Sequence, residues 1–171
     1  MHYRYLIAIT TCEKNEDRMR AVYDTWFKEV SPKDKAFFVY SDSKNSRFEG
    51  DNLYLDCEES YEKLPLKIKA LYEYACKNFD FDYIYKCDDD TYLDCLQLES
   101  FEIENADYIG KFVGDSETSL DRTWHYGKCE DKAEEVPYKG EFKVPWAAGG
   151  SGYFLSKKAC QSVISLSLIH I

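Results

Sequence analysis

Short apolar runs alternate with longer amphipathic segments along the first ninety residues of the chain. The runs at 5–10 (YLIAIT), 36–40 (AFFVY) and 83–87 (YIYKC) are rich in β-branched and aromatic residues. Such continuous runs are typical of strands that are covered on both faces of a parallel sheet. A shorter run at 52–56 (NLYLD) predicts a further strand.

Two segments between these runs place apolar residues at helical spacing. The first covers residues 15–30, with Asn15 as its predicted N-cap, and Pro32 follows its end. The second begins near Pro65, and its apolar face is formed by Ile68, Leu71, Tyr72, Ala75 and Phe79. The alternation of strands and helices predicts an α/β domain with a parallel sheet and helices on both faces.

The second half of the chain has a looser pattern. Residues 106–114 (ADYIGKFVG) predict one strand, and residues 115–143 are mostly polar with no clear period. We interpret that polar segment as a loop laid over a site. The segment VPWAAGGSGYFLS comes next, and a helix is predicted from Ser156.

Composition and charge narrow the class of protein. The chain has 171 residues, 44% of them hydrophobic and 32% charged, which is the profile of one globular domain. A formal charge of −10 disfavours nucleic acid as a partner. Seven cysteines occur without a CxxC pair, so no zinc site is predicted, and free thiols and disulfides both stay open.

Three consecutive aspartates, Asp88, Asp89 and Asp90, end the run FDYIYKCDDDTYL. Ligands of open α/β sheets bind beyond the carboxyl ends of the strands, where these side chains are predicted to lie. Neighbouring carboxylates repel each other and need a cation or several donors unless they face solvent. A divalent cation that prefers hard oxygen ligands, Mn²⁺ or Mg²⁺, meets that need. The alternative is an acidic loop with no ligand.

The stretch YKCDDDTYL resembles the DxD-bearing strand end of the β1,3-galactosyltransferase and Fringe superfamily of sugar-nucleotide glycosyltransferases. Further segments resemble other blocks of that superfamily in the same order: LIAITTCEKNEDRMRAVYDTWF, FFVYSDSKN, LPLKIKALYEYA and WAAGGSGYFLSKKA. The resemblance covers roughly residues 5–160 and is specific to the superfamily rather than to one member. It implies a GT-A fold, a Rossmann-like α/β domain with a mostly parallel sheet.

The resemblance also implies an activity. It implies metal-dependent, inverting transfer of a hexosyl group, of galactose or N-acetylglucosamine type, from a UDP-sugar to an acceptor sugar hydroxyl, with a β1,3 linkage expected. The implied cofactor is Mn²⁺ or Mg²⁺, and the implied partners are a UDP-sugar donor and a glycan or glycoprotein acceptor. A catalytically inactive sugar-nucleotide-binding module of the same fold is the alternative. A phosphate-ester hydrolase is disfavoured because no nucleophile stands at readable spacing.

The resemblance assigns roles to several polar residues. Asp90 is the implied metal ligand, and Asp88 or Asp89 reaches the metal or the ribose. Arg18 is implied to contact the diphosphate or the uracil, and a similar role for Arg20 is weaker. Asp42 contacts uridine or serves as an ordinary turn residue.

Other residues have two competing interpretations. Gly149, Gly150 and Gly152 either let the backbone approach a sugar or form a tight turn that opens a helix. We interpret Lys67 as a residue on the solvent-exposed face of an amphipathic helix rather than as a phosphate contact. Trp146 stacks on an acceptor sugar or belongs to the core, and His125 contacts the acceptor or is an incidental surface histidine.

The end of the sequence carries further expectations. The superfamily places its general base after the GGxGY segment, so the base is expected beyond Ile171, and His170 is not assigned as a ligand. Residues 1–171 are interpreted as a single catalytic domain without its C-terminal portion, expected to bind donor weakly and transfer poorly. No membrane segment is predicted in the chain. A Golgi or secretory-lumen location and a cytoplasmic one both stay open.

Overall fold

The computed structural model of the chain describes residues 1–113, 122–139 and 144–166. The strands of these residues are β1 (His2–Thr10), β2 (Lys35–Ser41), β3 (Arg47–Glu49), β4 (Asn52–Leu55), β5 (Asp80–Asp88), β6 (Tyr108–Gly110), β7 (Phe112–Val113), β8 (Trp146–Ala147) and β9 (Tyr153–Ser156). The α-helices are α1 (Glu16–Thr25), α2 (Leu64–Asn78), α3 (Cys95–Ser100) and α4 (Lys157–Ser165). None of the described helices has the length and apolar character needed to cross a membrane.

Seven strands form one mixed sheet in the order β3-β4-β2-β1-β5-β9-β6. The four strands β4, β2, β1 and β5 run parallel to one another. At one side β3 pairs antiparallel with β4, and at the other β9 pairs antiparallel with β5 and with the edge strand β6. Thr10, at the end of β1, stands opposite Val39 of β2 and Asp88 of β5. The predicted α/β class with a mostly parallel sheet is confirmed, and the carboxyl ends of the central strands meet at one edge.

The core has two layers because the central strand β1 is buried on both faces. Tyr5, Ile7 and Ile9 pack in one cluster with residues of α1 and α3. Leu6 and Ala8 pack in a second cluster with residues of α2 and α4. Helices therefore cover both faces of the sheet, as the continuous apolar run at 5–10 predicts.

The first helix is shorter than predicted. It covers Glu16–Thr25 between 3-10 turns at Glu13–Asn15 and Phe27–Glu29. Trp26 and Phe27 are both buried, at 1% and 9% exposure, and neighbouring residues of a regular α-helix point about 100° apart. A change of backbone geometry after Thr25 brings both rings into the core. Asn15 stands at the predicted N-cap position, but its side chain makes no capping hydrogen bond.

The segment at 106–114 is not one strand as predicted. Within its described part it divides into β6, which joins the large sheet, and β7, which pairs with β8 in a separate two-stranded sheet. The helix predicted from Ser156 is confirmed as α4, and the Ser156 side chain caps it by accepting from the Ala159 N–H at 3.1 Å. The short elements β3 and α3 were not predicted.

All seven cysteines lie in the described residues, and each is a free thiol. Cys87, Cys95, Cys129 and Cys160 are buried. Burial raises the pKa of the Cys87 thiol to about 12, which keeps it protonated at neutral pH. In this structure the four buried cysteines act as small apolar side chains rather than cross-links.

Candidate functional site

A cleft of about 710 Å³ lies at the carboxyl ends of β1, β2 and β5. Its walls include side chains of the residues that follow these strands and of the first turn of α1. Among the residues predicted to form the site, the cleft brings together Arg18, Asp42, Asp88, Asp89 and Asp90. The site therefore forms where parallel strands end, as expected for an open α/β sheet.

Asp88 is held by the strand beside it and by a lysine of its own strand. Its Oδ1 accepts from Thr10 Oγ1 at 2.7 Å and from Lys86 Nζ at 2.5 Å. Its backbone N–H donates to the Gly150 carbonyl at 3.3 Å. Its Oδ2 accepts no hydrogen bond from the described residues, so one oxygen is fixed and the other is available to a ligand.

Asp89 is the most enclosed of the three aspartates, at 4% exposure. Its Oδ2 accepts from Thr11 Oγ1 at 2.7 Å and from Asn15 Nδ2 at 2.8 Å. Its Oδ1 lies 3.4 Å from Arg18 Nη1. Both oxygens of Asp89 have partners within the protein. The Asp89 carboxylate therefore connects the loop after β1 and the start of α1 to the end of β5, where Asp88, Asp89 and Asp90 form the acidic strand end.

Asp90 differs from Asp89 in exposure and in contacts. Its side chain is 62% exposed, and Oδ2 lies 3.4 Å from Arg18 Nη1. Its Oδ1 has no hydrogen-bond partner among the described residues. Arg18 is itself 56% exposed and bridges Asp89 and Asp90 from α1. Asp90 and Arg18 are thus the charged groups of the acidic strand end that ligands reach most easily.

The acidic strand end is largely neutralised by the protein itself. Lys86 pairs with Asp88, and Arg18 pairs with Asp89 and Asp90, so two cations face three carboxylates. The mutual repulsion of three neighbouring aspartates is expected to require a bound cation or several donors unless they face solvent. The structure provides the donors and leaves about one uncompensated negative charge.

Lys67 is buried at the floor of the cleft, and its interpretation as a wet helix face is wrong. The residue is 3% exposed. Its Nζ donates to the Thr11 carbonyl and to Glu59 Oε2, both at 2.7 Å. Glu59 Oε2 also accepts from the Ser41 N–H at 3.2 Å. The Lys67–Glu59 pair therefore joins the residue that follows β1 to the last residue of β2, and these contacts replace the lost hydration of the buried lysine.

Asp42 lies on the cleft wall that follows β2. Its Oδ2 accepts from Arg47 Nη1 at 2.5 Å, and this hydrogen bond lowers the pKa of the Asp42 carboxyl below its ordinary value. Its Oδ1 accepts from the Lys44 N–H at 3.2 Å in a turn. The turn role is thus observed, and contact with uridine stays a prediction.

The glycine segment opens a strand rather than a helix. Gly152 has φ +92° and begins the approach to β9, a backbone conformation that favours glycine. A Cβ at Gly152 would lie 2.2 Å from Tyr85 Oη. A Cβ at Gly150 would lie 3.2 Å from Asp88 Oδ2, and one at Gly149 would meet nothing within 4 Å. Gly150 therefore keeps space free beside the available oxygen of Asp88.

Comparison with known proteins agrees with this arrangement. A sequence model of the Fringe-like family matches residues 3–168. The chain belongs to the Fringe-like family of glycosyltransferases. It is also 26% identical over 185 aligned positions to a hydroxyproline O-galactosyltransferase of Arabidopsis thaliana. That match covers 98% of this chain and 26% of the relative, so the chain spans about a quarter of its length.

Two carboxylate oxygens of this Fringe-like chain are of the kind that a divalent cation prefers. Asp88 Oδ2 and Asp90 Oδ1 are hard oxygens without hydrogen-bond donors among the described residues, and both residues line the cleft. No group of three or more His, Cys, Asp or Glu side chains in the described ranges is arranged to hold a metal ion. The remaining ligands would have to come from water or a phosphate.

Other predicted residues of the Fringe-like chain lie outside the cleft. Arg20 lies 3.9 Å from Glu16 on the exposed face of α1. Trp146 is partly buried in β8, opposite Val113. His125 lines a neighbouring cavity of about 1000 Å³, and its Nε2 lies 2.8 Å from the Val136 carbonyl. The acceptor roles of Trp146 and His125 stay predictions. His170 lies outside the described residues.

Sequence reasoning missed the roles of several residues that organise the site, among them Thr10, Thr11, Asn15, Glu59 and Lys86. Lys86 carried a readable signal, because a lysine inside a buried apolar strand needs a carboxylate partner. Asn15 was noticed but assigned to the helix end. Thr11 and Glu59 carried no signal, since their partners lie on other elements that only the fold brings near.

Proposed function

We propose that the protein is a metal-dependent inverting glycosyltransferase. It moves a hexosyl group, of galactose or N-acetylglucosamine type, from a UDP-sugar to an acceptor sugar hydroxyl and forms a β1,3 linkage. One observation carries the proposal. In a Fringe-like chain, the available oxygens of Asp88 and Asp90 and the guanidinium of Arg18 share one cleft at the carboxyl ends of the parallel strands.

Different side chains of the cleft have different roles in binding the UDP-sugar donor. Asp88 and Asp90 would hold Mn²⁺ or Mg²⁺, and Arg18 brings a positive charge to the same edge for a diphosphate. When bound there, the cation supplies Lewis-acid stabilisation of the charge that develops on the leaving diphosphate. Asp89 keeps Thr11, Asn15 and Arg18 in place, so the cleft is shaped before the donor arrives.

The Gly149–Gly150 turn packs against Asp88, on the side of the cleft where we place the UDP-sugar donor. Thr91 Oγ1 donates to the Gly150 carbonyl at 2.8 Å, and the Asp88 N–H donates to the same oxygen. The turn is thereby fixed against the acidic strand end. Without a side chain at Gly150, the donor can approach Asp88 closely. We assign no general base among the described residues.

The hydroxyproline O-galactosyltransferase relative supports a galactosyl-type donor, because its name records galactosyl transfer. We extend only the donor class to this chain. Discrimination between hexoses depends on a few pocket contacts of about 1–3 kcal/mol each. A screen of UDP-sugar hydrolysis with Mn²⁺, followed by linkage analysis of any transfer product, tests the donor and the β1,3 linkage.

Titration calorimetry with UDP, with and without Mn²⁺, tests the metal role of Asp90. For the unmodified protein we expect Mn²⁺ to tighten UDP binding about tenfold or more, because a charged ligand contact is worth about 1.5–3 kcal/mol. Asp90→Ala should lose this gain. Asp24→Ala is a matched control, since Asp24 on α1 is 61% exposed and outside the cleft.

Equal UDP affinity with and without Mn²⁺ would contradict the role of Asp90. Metal-linked UDP binding is expected both of a transferase and of an inactive sugar-nucleotide-binding module. Transfer of a hexosyl group to an acceptor is the result that separates the two.

A further inference from the structure

Lys86 is a buried cation that the proposed reaction has not yet used. It lies in β5, two residues before Asp88, and is 3% exposed. Removing an ammonium group from water costs several kcal/mol unless good partners replace the lost hydration. The hydrogen-bond partners of the buried Lys86 therefore indicate which part of the structure this lysine stabilises.

The partners of Lys86 belong to the two segments that build the donor side of the cleft. Nζ donates to Asp88 Oδ1 at 2.5 Å and to the Gly149 carbonyl at 3.2 Å. Thr10 Oγ1 lies 2.7 Å from the same Asp88 oxygen. Two donors therefore fix Oδ1, and the rotation of the carboxylate that would exchange Oδ1 with Oδ2 is opposed.

Lys86 does not line the cleft itself. It borders the neighbouring cavity of about 1000 Å³, together with Gly149, whereas Asp88 lines the cleft. Any effect of Lys86 on a ligand in the cleft has to pass through Asp88 or through the glycine turn.

We propose that Lys86 is a positioning residue of the nucleotide site. By holding Asp88 Oδ1 and the Gly149 carbonyl, it presents Asp88 Oδ2 to the divalent cation of a nucleotide diphosphate. The inference rests on the proposed function, because it requires a cation and a diphosphate in the cleft.

Positioning and simple charge compensation predict opposite results for the loss of Lys86. If Lys86 only offset the charge of Asp88, its removal would make the strand end more negative and would strengthen cation binding. If Lys86 orients the carboxylate, its removal weakens cation binding, typically about 10–100-fold for a residue that supports a metal ligand. The sign of the change therefore distinguishes the two roles.

The test measures Mn²⁺ affinity of the full chain in saturating UDP, by electron paramagnetic resonance of free Mn²⁺. We expect Lys86→Met to weaken Mn²⁺ binding about 10–100-fold and to leave metal-free UDP affinity within about threefold, because Lys86 does not line the cleft. Lys158→Met is the matched control. Its lysine is 82% exposed and pairs with Asp107 outside the cleft, so Mn²⁺ affinity should not change.

A double-mutant cycle tests whether Lys86 acts through Asp88. The reference is Asp88→Asn, and the double variant is Lys86→Met with Asp88→Asn. We expect the double variant to bind Mn²⁺ as weakly as Asp88→Asn alone, since the carboxylate that Lys86 orients is already gone. The double variant also removes the unpaired carboxylate, so it carries the test if Lys86→Met alone does not fold.

The outcomes are distinct. Unchanged or tighter Mn²⁺ binding by folded Lys86→Met overturns the positioning role and leaves the proposed function intact. A double variant that binds Mn²⁺ clearly more weakly or clearly more tightly than Asp88→Asn also overturns it. If the unmodified protein binds no UDP with Mn²⁺, the proposed function fails, and the role of Lys86 fails with it.

Discussion

Asp89 and Asp90 are neighbours in the sequence, yet their side chains have different surroundings. Asp89 is 4% exposed and accepts from Thr11, Asn15 and Arg18, whereas the side chain of Asp90 is 62% exposed. Within a run of three aspartates, the Asp89 carboxylate therefore holds neighbouring side chains in place, whereas the Asp90 carboxylate is accessible to a ligand. The sequence alone ranks them only by resemblance.

This difference predicts opposite mutational effects at the two positions. Asp89→Ala leaves the buried Thr11 hydroxyl and the partly buried Asn15 amide without their acceptor, so we expect a loss of about 1–3 kcal/mol in the free energy of unfolding. Asp90→Ala should change that free energy by no more than about 0.5 kcal/mol. Urea denaturation of both variants provides the measurement. Equal destabilisation by the two substitutions would contradict the separate roles.

At the scale of elements, the start of β9 depends on one glycine. Gly152 combines φ +92° with a Tyr85 hydroxyl that stands 2.2 Å from the position of an added Cβ. The Tyr85 Oη donates to the Ser151 carbonyl at 3.1 Å, which fixes the ring in place. The turn and the strand β5 are thus fitted to each other.

We expect Gly152→Ala to lower the free energy of unfolding by about 2 kcal/mol or more, from backbone strain and steric overlap. Gly149→Ala is the matched control, because an added Cβ there meets nothing within 4 Å. Its effect should stay within about 0.5 kcal/mol. Thermal or urea unfolding of the two variants checks this, and a well-tolerated Gly152→Ala would contradict the close fit between this turn and Tyr85.

The beginnings of β1 and β5 are joined by a pH-dependent contact. The ring nitrogens of His2 each lie 3.2 Å from a carboxylate, Nδ1 from Asp80 and Nε2 from Asp82. Hydrogen bonds to Asp80 and then Asp82 raise the pKa of His2 above its ordinary value of 6.5. The imidazole of His2 therefore binds a proton more tightly in the folded state than in the unfolded state, so protonation of His2 favours folding.

The sign of the pH effect follows from that shift. The stabilisation is complete below pH 6.5 and is lost as pH rises through the raised pKa of folded His2. We expect the Tm of the protein to fall between pH 6 and pH 8 by more than the Tm of His2→Asn does. The effect should be small because the pair is exposed. Parallel Tm profiles for the two proteins would contradict it.

At the scale of the whole molecule, the sequence predicts the central parallel strands well. It predicts the short elements at the edges of the sheet poorly. The runs that became β1, β2, β4 and β5 were recognised because burial on both faces selects continuous apolar residues. The strand β3 has three residues and α3 has six, which is too short for a periodic signal. The division of 106–114 depends on pairing with β9 and β8, which local sequence does not encode.

The candidate site shows the same limit. Its position at the strand ends follows from the α/β order, and the three aspartates were found from the sequence. The contacts Thr10–Asp88, Thr11–Asp89 and Lys67–Thr11 join residues 78, 78 and 56 positions apart. These partners become neighbours only through strand register and helix packing, so the charge balance of the site could not be predicted.

The proposed function requires the acidic end of β5 to bind a divalent cation together with a nucleotide diphosphate. A crystal structure of the chain grown with UDP and Mn²⁺, with anomalous data to locate manganese, measures this. We expect a manganese peak at coordination distance from Asp90 and from the diphosphate, with Asp88 Oδ2 facing it and the Lys86–Asp88 contact retained. Ordered UDP with no manganese at these carboxylates, or with Asp90 turned away from the cleft, would contradict the proposed function.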